Sequence, residues 1–159
     1  MAEIRLLADD VEARACATIM ATTEPWITLG RTFDRCLATM RDEALERYVA
    51  RAGDEIVGLL LLSMRGEFTG YIKSVAVRED YRSKGVGSQL LSFAEERIFR
   101  ESPNVFICVS SFNPRARSLY ERLGYESVGI LRDFILRGHH EILLRKTTGP
   151  LTEFKPASS

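Results

Sequence analysis

Between Ile72 and Ile98 a strand, a glycine-bearing turn and a helix follow one another directly, and this junction constrains the fold most. Ile72 to Val77 is a short apolar run of the kind that forms a buried strand. From Val86 onward, Leu90, Ala94 and Ile98 recur four apart with Leu91 beside them, which is the period of one helix face. Between these lies Arg82-Ser83-Lys84-Gly85-Val86-Gly87, with Ser88 next. The first N–H groups of a helix have no internal partner and sit at the positive end of its dipole, so the junction suits an anion. Gly85 and Gly87 carry no side chain to hold a phosphate off that backbone. Arg82 and Lys84 add full charges beside it. The segment reads as a pyrophosphate cradle.

Two familiar phosphate sites do not fit. A dinucleotide fingerprint needs a third glycine where Leu90 stands, and a P-loop needs a Gly-Lys pair followed by Ser or Thr. What remains is Arg-x-x-Gly-x-Gly after a strand. Downstream, Val105 to Val109 reads as a second buried strand from its β-branched content. It leads into Asn113-Pro114-Arg115-Ala116-Arg117-Ser118-Leu119-Tyr120-Glu121-Arg122-Leu123-Gly124-Tyr125, a helix with both ends marked. Asn113 suits the N-cap, Pro114 the first helical position and Gly124 a left-handed stop. Ala116, Leu119, Tyr120 and Leu123 form its apolar face.

Taken together, Ile72 to Tyr125 resembles the GNAT superfamily of N-acetyltransferases. Its members carry the same glycine motif after a strand, then an asparagine, a helix ending in Leu-Tyr, and Leu-Gly-Phe/Tyr. The resemblance implies a mixed α/β fold: a central, mostly antiparallel sheet, splayed between two strands and flanked by helices. It implies acetyl-CoA as co-substrate and transfer of the acetyl group to a primary amine by direct attack in a ternary complex. The donor's pantetheine would pair with the main chain of Val75 and Val77, with an N–H near Val75 polarising the carbonyl. The pyrophosphate would sit on the amides from Arg82 to Ser88, and Asn113 would cap its helix and touch the cofactor amide. Tyr120, seven residues after Asn113, would be the general acid. A phenol of pKa near 10 is matched to a thiolate whose thiol titrates at roughly 8.5 or above.

The general base departs from better-known members. Some use a glutamate eleven residues before the motif's arginine, where Tyr71 stands; others use one five residues before the asparagine, where Cys108 stands. Cys108 lies in an apolar strand and reads as a small buried hydrophobe, while Tyr71 either relays a proton or packs its ring. Glu24, Glu67, His139 and His140 are the other candidates. Deprotonating a lysine at pH 7 costs roughly 4.6 kcal/mol, against roughly 1.4 for an α-amine. A site without a strong base therefore leans towards α-amines. The connection Thr22 to Arg31 borders the acceptor cleft in the family; there Glu24 offers an acceptor for ammonium, Trp26 a flat wall or hydrophobic plug, and Arg31 a fork for carboxylate. That set suits an amino-acid-like acceptor or a peptide N-terminus. The absent glutamates keep a second class open, a non-catalytic acyl-CoA-binding or regulatory module on the same scaffold.

At 159 residues the chain is expected to form one domain over 1–146 with a loosely held tail over 147–159. Twenty-two basic and twenty-two acidic residues cancel, which gives no electrostatic case for nucleic acid or an anionic membrane. The start carries no apolar signal region, and the longest apolar stretch, Ile56 to Leu62, is too short to span a bilayer. Cys16, Cys36 and Cys108 share no metal or redox spacing and read as reduced thiols of a cytoplasmic protein with no metal site; a homodimer is left open. The remaining layout is a strand at Ile4–Leu7, a helix from Asp9 or Asp10 through Ala21 and one from Thr32 through about Ala44. A hairpin follows, Arg47–Ala52 with Glu55–Met64, and the last two strands are Tyr125–Leu131 and His140–Arg145.

Overall fold

The computed structural model describes residues 1–157; the last two positions of the expected tail, Ser158 and Ser159, lie outside the described residues. In chain order the elements are β1 (Glu3–Leu6), α1 (Asp10–Ala21), α2 (Phe33–Met40), β2 (Glu46–Ala52), β3 (Glu55–Ser63) and β4 (Tyr71–Val77). They continue with α3 (Val86–Ile98), β5 (Asn104–Ser110), α4 (Pro114–Arg122), β6 (Glu126–Leu131) and β7 (Glu141–Thr147). Seven strands form one sheet in the order β1-β2-β3-β4-β5-β7-β6. All neighbours are antiparallel except β4 and β5. This is the mixed, mostly antiparallel architecture expected from the motifs. No helix among the described residues is long and apolar enough to cross a membrane.

Local signals account for the helix ends. The Asp9 side chain accepts from Glu12 N–H, Thr32 from Arg35 N–H and Asn113 from Ala116 N–H. α2 stops at Met40 rather than near Ala44. The Arg41 N–H turns back to Leu37 O and Ala38 O, and Asp42 Oδ1 accepts from Ala44 N–H, a side-chain turn that competes with another helical turn.

Helices cover both faces of the sheet. One core packs Leu90, Leu91, Ala94 and Ile98 of α3 against Leu60, Leu62 and Ile72; the other packs Ala13, Cys16, Met20 and Met40 of α1 and α2 against Leu59 and Leu61. β3 therefore reads as a continuous apolar run, since successive residues face opposite cores.

Two features of β4 shape the site. Gly70, with φ of 95°, holds the start of β4 so close to β5 that an added Cβ would lie 2.4 Å from Asn104 O. Its own carbonyl accepts from Phe106 N–H at 2.9 Å. The two strands pair only at Tyr71 with Phe106 and Ile72 with Ile107, then diverge. On the other side of β4 the register with β3 slips, Leu62 opposing Ile72 but Leu61 opposing Ser74. Lys73 is the extra residue of a β-bulge, a device that re-aims side chains.

Candidate active site

The turn before α3 is open to a ligand. Gly85 adopts φ of 84° and Ser83 φ of 62°, and the helix begins without a side-chain cap. The amides of Ser83, Lys84, Gly85, Val86, Gly87 and Ser88 donate to no acceptor among the described residues; Gln89 N–H, bonded to Gly85 O at 3.0 Å, is the first to close. A Cβ on Gly85 would meet nothing within 4 Å, and one on Gly87 only Val77 Cγ2 at 3.8 Å. Packing within the protein does not require these glycines to be small. The left-handed backbone at Gly85 by itself favours glycine, and at both positions the missing side chain leaves the space in front of the six free N–H groups open. Lys84 Nζ lies 4.6 Å from the Tyr81 ring centroid, and Arg115 Nη2 donates to Ser83 Oγ at 2.8 Å, tying α4 to the turn.

Beside the cradle, the divergence of β4 from β5 leaves a strand edge unpaired. Arg78 N–H donates to Val57 O on β3 at 2.8 Å, so by the alternation of a strand the peptide groups of Val75 and Val77 face the gap. Arg82 Nε reaches Val77 O from that side at 3.5 Å. The gap forms a cavity of about 530 Å3 that runs from the cradle, past Asn113 and Tyr120, to Trp26 on the α1–α2 connection. A cradle for a diphosphate in line with an open strand edge fits a long, extended ligand with an anionic end.

Residues 9–125 match the model of the acetyltransferase (GNAT) family. The chain belongs to that family. Among curated relatives of this GNAT protein, an uncharacterized N-acetyltransferase, YvbK, of Bacillus subtilis is 35% identical over 104 residues, covering 63% of this chain and 67% of that protein. An N-alpha-acetyltransferase of Sulfurisphaera tokodaii is 30% identical over 111 residues, covering 61% of this chain and 66% of that protein, just under two thirds of its length. In fold it resembles an aminoglycoside 6'-N-acetyltransferase complexed with coenzyme A, with a TM-score of 0.74 at 19% identity over 93% of this chain and 98% of that one.

Tyr120 is 7% exposed and lines the cavity, and its hydroxyl makes no hydrogen bond among the described residues. Burial pushes its pKa up to about 12, above the value of 10 assumed for a free phenol. The phenol therefore stays protonated at neutral pH, and the same burial makes it a weaker acid than the match near 10 expected from sequence. Asn113 caps α4 as expected, and Arg117 pairs with Glu121 on the solvated face.

Across the cavity the strands bring together a cluster that no single segment reveals. Tyr71, Cys108, Ser110 and Glu141 all line the gap. Cys108, expected as a small buried core residue, is instead half-buried on the cavity wall, because β5 sends Val105, Ile107 and Val109 to the α3 core and the alternate residues the other way. Its thiol lies against the Tyr71 hydroxyl, and burial raises both pKa values.

Glu141 is the residue that sequence reasoning missed. It opens β7, is only 4% exposed, and faces Ser110 across the β5–β7 register. Ser110 Oγ donates to its Oε1 at 2.6 Å, while the other carboxylate oxygen has no partner among the described residues. Burial raises its pKa and the Ser110 bond partly offsets this. The only trace in the sequence is a charged residue heading the apolar run Glu141-Ile142-Leu143-Leu144. Of the bases expected from sequence, Glu67 is exposed on the β3–β4 connection and does not line the gap. Glu24 does line it, but its carboxylate is bonded to Thr28 N–H and Oγ1. Trp26 both packs on the α1–α2 core and lines the gap, whereas Arg31 faces a second, adjoining cavity.

Proposed function

We propose that this chain moves the acetyl group of acetyl-CoA to a primary amine, a small amine or a protein α-amine, by direct attack in a ternary complex. The observation that carries the reading is the row of six unpartnered amides beside an unpaired strand edge. Family membership supports it, as does the activity in the name of the S. tokodaii relative. When bound, acetyl-CoA supplies a thioester, activated for attack by an amine.

The chain's own groups divide the remaining work. The amides from Ser83 to Ser88, with Arg82 and Lys84, hold the diphosphate. The exposed peptide edge of Val75 and Val77 aligns the pantetheine, and the Val75 N–H polarises the carbonyl oxygen. Glu141 takes the proton of the incoming ammonium; its raised pKa makes it a stronger base than an exposed carboxylate. Tyr120 donates to the departing sulfur, and the burial that weakens it as an acid raises the basicity of a thiolate released beside it. With Glu141 in this place, the chain has a carboxylate base that is absent from both positions usual in better-known members.

Thiol release from acetyl-CoA should depend on an added amine, and binding without turnover on any amine would overturn the reading. Tyr120→Phe should lower kcat by about 10²-fold while calorimetry still detects coenzyme A binding. A variant with unchanged kcat would reduce Tyr120 to packing. Gly85→Val is expected to weaken coenzyme A binding by about tenfold or more, since a β-branched residue pays roughly 1–2 kcal/mol to hold the left-handed backbone and the turn that presents the amides shifts to escape it. Calorimetry alongside a melting curve checks that the loss is local.

A further inference from the structure

A second cavity of about 470 Å3 adjoins the first on the α1–α2 side, sharing Trp26, Leu29, Tyr71, Lys73, Ser74 and Ile135 with it. Its polar wall is cationic. Arg31, just before the Thr32 cap of α2, and Arg35, in the first turn of α2, line it with Lys73, the residue that the β4 bulge turns out of register. None of the three forms a salt bridge among the described residues, which is true of thirteen of the 22 lysines and arginines. No aspartate or glutamate lines this cavity. Its other wall is apolar, with Leu29, Phe134 and Ile135. None of the residues from Arg82 to Ser88 lines it, so these charges are not placed for the diphosphate of coenzyme A. Three cations lining one cavity next to the transfer site, with no carboxylate in its wall, suit an anion on the acceptor itself.

We propose that this cavity binds the anionic group of the acceptor, so that the preferred substrate is a small amine carrying a carboxylate or a phosphate beside an apolar body. The proposal rests on the acetyl-transfer reading above. A guanidinium fork from Arg31 or Arg35 matches either anion in two parallel hydrogen bonds, and Lys73 adds a point charge next to the reacting amine. A polycationic acceptor is disfavoured by the same charges.

Matched pairs of probes test this: L-phenylalanine against phenethylamine for a carboxylate, and ethanolamine phosphate against ethanolamine for a phosphate, with kanamycin as the polycation. At least one anionic member is expected to exceed its neutral partner about 10- to 100-fold in kcat/KM. That ratio should collapse towards one in R31Q/R35Q, at an unchanged melting temperature. Ratios near one for both pairs in the unaltered protein, or a preference for kanamycin, would overturn the proposal. Should no amine be turned over, the transfer reading fails by itself, and calorimetry with N-acetyl-L-phenylalanine, its uncharged analogue N-phenethylacetamide and acetyl phosphate still decides this one. Salt-sensitive binding of an anion that R31Q/R35Q loses supports it. Equal binding of the uncharged analogue, or no binding of either anion, overturns it.

Discussion

Glu141→Gln is expected to lower kcat/KM for amine acetylation by roughly 10²- to 10⁴-fold, the range for loss of a general base. The substitution keeps the shape of the side chain and an oxygen to accept from Ser110 Oγ, so the loss isolates proton acceptance. The pH profile offers a second readout. Burial holds the Glu141 pKa above its ordinary value of 4.5, so the acid limb of kcat/KM in the unaltered protein should fall at a pH above that value. In the glutamine variant that limb should vanish, leaving a low rate that follows only the amine's own deprotonation. A variant that kept the limb would assign it to another group.

Stability should move the opposite way. A carboxyl whose folded pKa is raised favours the fold while protonated, and that contribution is lost as pH climbs through the folded pKa. At pH 7 the ionised Glu141 therefore costs stability that the neutral glutamine does not. The variant should melt above the parent at pH 7, and the difference should shrink towards zero below pH 4.5. Higher stability with lower turnover is the signature of a buried group retained for chemistry.

Gly70→Ala is the substitution expected to damage the fold most for its size. Its Cβ would stand 2.4 Å from Asn104 O and 2.6 Å from Ile98 Cγ2, at a φ of 95° that strains any residue with a side chain. Overpacking costs about 1–3 kcal/mol and the left-handed backbone about 1–2 more. A total near 3 kcal/mol lowers the melting temperature by roughly 6–12 °C in a domain of this size. Relief requires β5 to move away from β4 at the place where the two strands pair, so coenzyme A binding should weaken with it. A melting curve unchanged within about 2 °C would show that the junction yields cheaply.

What could be read in advance was what lies contiguous in the chain. The proposed cradle is a single run from Arg82 to Ser88, and the reading of it as an anion site needs only a helix start and two glycines. The caps Thr32 and Asn113 were equally legible, and the first cap was narrowed to Asp9 or Asp10, of which Asp9 serves, because each acts on an N–H three residues ahead. The early end of α2 was not, since Asp42 can serve a helix or a turn and only packing selects between them. Cys108 was misplaced for a related reason: an apolar strand buried on one face looks, in one dimension, like one buried on both.

The sequence by itself determined the order of elements, the family and the glycine-bearing helix start that we propose for the coenzyme's anionic end. Tertiary structure alone decided the rest of the chemistry. Glu141 meets Ser110 across 31 residues through the register of β5 and β7, and Lys73, put out of register by the β4 bulge, lines one cavity with Arg31 and Arg35. Strand register and bulge position come from long-range pairing, in which a shift of one residue turns every side chain to the opposite face, and no local pattern encodes that choice.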